Sequence, residues 1–173
     1  MKILVTGSSG FIGSAFIRRT LETTDHSIRA FTHHTSEKNL LRLTLDNNFQ
    51  TERKQGRVEL IYGDLSDTLG LCEGVDTVVH FAARTHVDQS ILDPEPFLQS
   101  NVIGTFNLLE DVRRYGVKKF IQVSTDEVYG SILEGAYQED APLNPTNIYS
   151  ASKAAGDALA ISYAHTYGLN TVI

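Results

Sequence analysis

The chain has 173 residues, 41% hydrophobic and 21% charged, which suits one soluble globular domain with a core of its own. Fifteen Lys plus Arg against 21 Asp plus Glu leave a net charge of -6, so the basic excess that non-specific nucleic-acid binding needs is missing. Cys72 is the only cysteine, no apolar run approaches the roughly 18 residues of a membrane span, and Met1-Lys2 leads into a short apolar run rather than a signal sequence. The expectation is a cytoplasmic protein with no membrane, nucleic-acid or metal partner.

Ile3-Leu4-Val5 predicts the first strand. Gly7-Ser8-Ser9-Gly10-Phe11-Ile12-Gly13 follows and leads into a helical pattern over 11–23. Glycines between a strand and a helix permit a tight turn and let backbone approach a pyrophosphate over the helix N-terminus. The spacing, G-x-x-G-x-x-G, differs by one residue from the common dinucleotide fingerprint. Gly-Ser-Ser-Gly also serves as a plain turn, but the strand before it and the helix after it favour a dinucleotide site.

The second strand, 28–31, ends in Phe31-Thr32-His33-His34. A carboxylate usually stands there, roughly 20 residues beyond the glycines, to hold the adenosine ribose; none is present. Thr32 can offer a weaker hydrogen bond, and His33, His34 or Lys38 can tolerate a 2′-phosphate. The cofactor is therefore read as NAD, with NADP left open. The plainer reading of His33 and His34 is two solvated loop histidines.

From 33 to 57 a helical pattern at 37–45 is mixed with loop. A third strand, 58–61, precedes Gly63-Asp64-Leu65, where Asp64 either accepts from an adenine amino group or caps the next helix. A fourth strand at 75–81, a helix at 96–115 and a fifth strand at 120–123 come next. Ser124-Thr125-Asp126-Glu127-Val128-Tyr129-Gly130 then falls at the carboxyl edge of the sheet, where open α/β sheets bind ligands. Two adjacent carboxyls can divide acid and base roles if their surroundings separate their pKa values; the plain alternative is a loop of solvated acids.

A helix predicted over 147–167 carries Tyr149-Ser150-Ala151-Ser152-Lys153 near its start. Residues four apart share a helical face. An ammonium close to a phenol favours the phenolate, which makes Tyr149 a candidate base and Lys153 its partner and a holder of the nicotinamide ribose. The small residues Ala154, Ala155, Ala158, Ala160, Ser162 and Ala164 fit either ordinary core or a dimer face, and the homodimer is preferred. The chain stops inside a sixth strand, 170–173, which suggests truncation.

Strands alternating with helices define the fold class as α/β: a Rossmann-type parallel sheet with helices on both faces. Residues 1–173 read as one NAD(P)-binding domain that ends before a C-terminal substrate domain. The motifs resemble the extended short-chain dehydrogenase/reductase superfamily and, within it, the N-terminal part of dTDP-glucose 4,6-dehydratases. The likeness runs through KILVTGSSGFIGS at 2–14, GDL at 63–65, HFAARTHVDQSI at 80–91, SNVIGT at 100–105, STDEVYG at 124–130 and YSASKAAGD at 149–157. STDEVYG discriminates best, because related epimerases lack the Asp-Glu pair and GDP-mannose dehydratases usually carry Ser in place of Asp126.

The resemblance implies a nucleotide-sugar substrate and a lyase reaction on one bound NAD. Tyr149 deprotonates the C4 hydroxyl, Thr125 hydrogen-bonds its oxygen, Glu127 removes the C5 proton and Asp126 protonates the departing C6 hydroxyl. Gly7, Gly10, Phe11, Ile12, Gly13, Thr32, Asp64, Leu65, Phe81, Ala82, Ala83 and Ser100 surround the cofactor with Tyr149 and Lys153, and Thr85 touches cofactor and substrate. Departures are Thr32 in place of the ribose-binding Asp, Arg84 in place of a Glu, and Gln89 in place of an Arg. Two other readings are an epimerase or related oxidoreductase, and a non-catalytic dinucleotide-binding fragment. The 173-residue chain alone is expected to bind substrate poorly.

Overall fold

Ile3, Leu4 and Val5 on β1 (Lys2–Thr6) are all buried, as they must be in a strand covered on both faces. The computed structural model describes residues 1–33, 37–68 and 70–173. Five more strands run parallel to the first: β2 (Ser27–Thr32), β3 (Val58–Tyr62), β4 (Thr77–His80), β5 (Lys119–Gln122) and β6 (Thr171–Val172). Their order is β3-β2-β1-β4-β5-β6, with Val5 registered against Ala30 on one side and Val79 on the other. The chain winds outward to β3, then returns to β4 beside β1. A crevice opens between the carboxyl ends of β1 and β4 because their connections leave in opposite directions.

The helices are α1 (Phe11–Thr23), α2 (Glu37–Thr44), α3 (Asn47–Lys54), α4 (Val87–Leu92), α5 (Glu95–Leu98), α6 (Gly104–Tyr115) and α7 (Ile148–Tyr167). Alternate residues of each strand serve opposite faces. Ile3 and Val5 pack with Ile17, Leu21, Leu43 and Phe49 from α1, α2 and α3. Leu4 and Phe120 pack with Leu108, Leu109, Val112 and Tyr163 from α6 and α7.

The strands, α1 and α7 fall where the sequence places them to within a few residues. Asn147 is the cap of α7 rather than part of it, and its Oδ1 accepts from Ser150 N at 2.8 Å. Three helical pieces differ. The span 33–57 holds α3 in addition to α2, started by Asp46, whose carboxylate accepts from Phe49 N at 2.9 Å. α4 is six residues long, too short for a periodic signal. The helix expected over 96–115 is α5, a π-helical turn at Gln99–Ile103, and α6. That turn widens where Asn101 is drawn sideways: its Oδ1 accepts from Arg84 N at 2.8 Å, and its Nδ2 donates to Arg84 O at 3.0 Å and Ser152 Oγ at 2.9 Å.

Among the described residues no helix is long and apolar enough to cross a membrane. Cys72 is buried, and burial pushes its thiol up, so it is an inert core group. Of the small residues on α7, Ala154 and Ala160 are buried within the chain while Ala158 and Ser162 face outward.

Candidate active site

A cleft of about 850 Å³ lies over the carboxyl ends of β1, β2, β4 and β5. Its floor is the turn from β1 into α1. Gly7 has φ +65°, and a Cβ there would stand 2.7 Å from Ala82 N. A Cβ on Gly13 would run into the Gly7 carbonyl. Glycine is required at both positions, at the first by backbone angle and contact and at the second by contact. No side chain caps α1, so the amides of its first turn are available to an anion. Phe11 and Ile12, 80% and 60% exposed, form an apolar lip beside them. A glycine cradle, an uncapped helix start and a cleft of this volume fit a dinucleotide.

The other residues expected around the cofactor line the same cleft. Thr32, Asp64 and Leu65 stand at one end, Phe81, Ala82, Ala83 and Thr85 follow β4, and Ser100, Tyr149 and Lys153 close the far wall. Thr125, Asp126 and Glu127 do not line it; just beyond Ser124, Thr125 caps and Asp126 and Glu127 begin a 3₁₀ turn (Asp126–Tyr129) next to Tyr149.

At the first end, Thr32 is 2% exposed, and its hydroxyl is 2.5 Å from that of Ser9. It ties the glycine turn to β2, so the hydrogen bond expected toward a ribose is already made within the protein. Among the described residues Asp64 caps no helix, since the next of them begins at Val87. Its Oδ1 accepts from Ser66 N at 2.8 Å, its Oδ2 lies 2.8 Å from His33 Nε2, and these bonds, that to Ser66 first, hold the carboxyl below its ordinary value. His33 is therefore paired rather than merely solvated. His34 and the side chain of Lys38 lie outside the described residues. Arg42, unremarked in the sequence, lines this end and donates to Ser9 O at 3.5 Å.

At the far end, α7 presents Tyr149 and Lys153 on one buried face. Lys153 Nζ donates to Val123 O at 2.6 Å. The expected lowering of the Tyr149 pKa is not what this arrangement produces. Burial pushes the phenol up, a hydrogen bond with Thr125 pulls it down, and Glu127 and Asp126 push it up again. The two acids oppose a second negative charge, and the lysine, itself pushed down by burial, is engaged by a carbonyl.

The two carboxyls have different surroundings. Asp126 is exposed, with Oδ1 accepting from Thr125 Oγ1 at 3.3 Å. Glu127 is half-buried and its Oε2 accepts from Asn147 Nδ2 at 3.2 Å. Asn147 thus holds the start of α7 and Glu127 together; Asn147 three residues before Ser150 is a capping-box spacing that could have been read from sequence. The motif at 80–91 gives Ser90 no role of its own. Its buried hydroxyl accepts from Tyr149 N at 3.2 Å and so sets the first turn of α7. Among the described residues, no three His, Cys, Asp or Glu side chains are grouped to hold a metal.

Residues 4–173 match the family described as GDP-mannose 4,6 dehydratase, and the chain belongs to that family. A dTDP-glucose 4,6-dehydratase of Streptomyces griseus is 42% identical, over 97% of this chain and 51% of its own length. The crystal structure of DesIV, a dTDP-glucose 4,6-dehydratase of Streptomyces venezuelae with NAD bound, is 38% identical with a TM-score of 0.87, over 99% of this chain and 54% of its own. A UDP-glucuronic acid 4-epimerase of Bacillus cereus, solved with UDP-glucuronic acid and NAD, is 30% identical with a TM-score of 0.88, over 100% and 55%. The chain spans about half the length of these relatives. They support a nucleotide-sugar dehydratase or epimerase family in which NAD is the cofactor.

Proposed function

We propose that the chain is the NAD-binding part of a 4,6-dehydratase that converts dTDP-glucose to dTDP-4-keto-6-deoxyglucose. The observation that carries this reading is the placement of two carboxyls in unlike surroundings, Asp126 exposed and Glu127 half-buried, beside the buried Tyr149. Bound NAD would supply the acceptor for the C4 hydride and its later return to C6. Its pyrophosphate would lie on the Gly7–Gly13 turn, with Lys153 at the nicotinamide ribose and Thr85 within reach of both cofactor and sugar.

Tyr149 takes the proton of the C4 hydroxyl through its phenol oxygen. Thr125, set beside that phenol, favours the phenolate against burial and would hold the C4 oxygen. Glu127, oriented by Asn147, takes the C5 proton, and Asp126, open to solvent, delivers a proton to the departing C6 hydroxyl. Water leaves and the sugar becomes a 4-keto-6-deoxy product.

The test is incubation of the intact protein with dTDP-glucose and detection of that product. Turnover of a UDP-sugar without loss of water would instead support the epimerase reading, which the likeness to the Bacillus cereus enzyme favours. Glu127→Gln should lower product formation by about 10²–10⁴-fold while C4 oxidation stays visible as bound NADH. Normal turnover by that variant would exclude Glu127 as the C5 base.

A further inference from the structure

The face of α7 that carries Tyr149 and Lys153 continues one turn further to Asp157. Tyr149 is 7%, Lys153 5% and Asp157 3% exposed. Two successive turns of the helix hold two successive residues at the end of β5. Lys153 Nζ donates to Val123 O at 2.6 Å, and Asp157 Oδ2 accepts a short hydrogen bond from Ser124 Oγ. The other Asp157 oxygen, Oδ1, is buried with no hydrogen-bond partner among the described residues. A carboxylate in that position is costly unless a cation lies near it.

Gln122 on β5 stands against the Asp157 carboxyl but carries no charge, and among the described residues the neighbouring elements offer no rival counter-ion. His80 on β4 is kept neutral by burial, at about 3. Asp126 and Glu127 face Tyr149; Asp88 on α4 and Glu95 on α5 are exposed. Glu110 on α6 is engaged by Arg113 and Tyr163. Lys153 and Asp157 are left to compensate each other. Burial pushes the lysine down and the carboxyl up, and in each the partner's charge acts in the opposite sense.

We propose that Asp157 is a positioning residue for Lys153: its carboxylate, clasped by Ser124, is the counter-charge that keeps the ammonium against the Val123 carbonyl at the nicotinamide end of the cleft. The role deepens the reading of Lys153 as the group that holds the dinucleotide ribose. Removing the charge lets Lys153 lose its proton at lower pH, so dinucleotide affinity should fail earlier on the alkaline side.

In the intact protein, NAD binding by wild type and by Asp157→Asn would be titrated calorimetrically from pH 6 to 9. The variant is expected to bind within about twofold of wild type at pH 6 and about tenfold more weakly at pH 9. The same loss of affinity at every pH would overturn the proposal.

A second measurement needs no variant. The Lys153 Cε resonance of the wild-type protein should shift as Asp157 is protonated, and a flat trace through that titration would equally overturn it. A shift in that resonance together with superimposable NAD-binding profiles for wild type and Asp157→Asn would support the counter-charge while removing the ribose role from Lys153. The two readings therefore fail separately.

Discussion

At the scale of single residues the site is held by hydrogen bonds between polar side chains and the turns they fix. Ser9 and Thr32 lock the glycine turn to β2, Ser90 and Asn147 set the start of α7, and Asn147 also reaches Glu127. Thr32 leaves the end of β2 without the carboxylate that would bind the adenosine ribose hydroxyls, and Arg42 stands nearby. Thr32→Asp should restore that contact and tighten NAD about tenfold relative to NADP, read by titration with each dinucleotide; an unchanged ratio would show that the ribose is held elsewhere.

His80 is expected to weaken the fold in acid. Fully buried between the Thr6 hydroxyl at 2.6 Å and the Thr105 hydroxyl at 3.1 Å, it is pushed down to about 3, mainly by burial. Its folded value lies below its unfolded one, so the unfolded chain takes up the proton first. The associated stability is intact above about pH 6.5 and is lost as the pH falls toward 3. By pH 4.5 the loss should be on the order of a few kcal/mol. His80→Gln should flatten the decline of melting temperature between pH 6.5 and 5, before the carboxylates titrate; a slope like that of wild type would exonerate His80.

At the scale of elements, the cleft is made by what sits between regular segments. The β1–α1 turn serves both fold and ligand, because its first glycine has left-handed backbone angles and touches the Phe81-Ala82 backbone. Gly7→Ala should destabilise the protein by about 1–3 kcal/mol and also remove measurable NAD binding, checked by melting and calorimetry on the same sample. Wild-type affinity in a stably folded variant would mean that the pyrophosphate does not use this turn. The π-helical turn before α6 has a comparable part. By turning Asn101 toward Arg84 and Ser152, it pins the loop after β4 to α7 and places Ser100 on the cleft wall.

At the scale of the whole molecule, parallel winding brings residues 7, 32, 64, 82, 125 and 149 to one edge. The crevice follows from strand order, since each strand delivers its carboxyl end to the same side. Much of this was legible in the chain. Continuous apolar runs identify strands buried on both faces, glycine spacing identifies the turn, and Tyr149 and Lys153 share a helix face whatever surrounds them, because each of these rests on contacts close in sequence.

Other features depend on groups far apart in sequence. The pairing of Ser9 with Thr32, the breaking of the 96–115 helix by Asn101, the engagement of Lys153 by Val123 and the upward push on Tyr149 are decided only when the sheet closes. Local pattern tells which side chains share a face. The charge state and partner of each depend on burial and distance, which only the tertiary structure supplies.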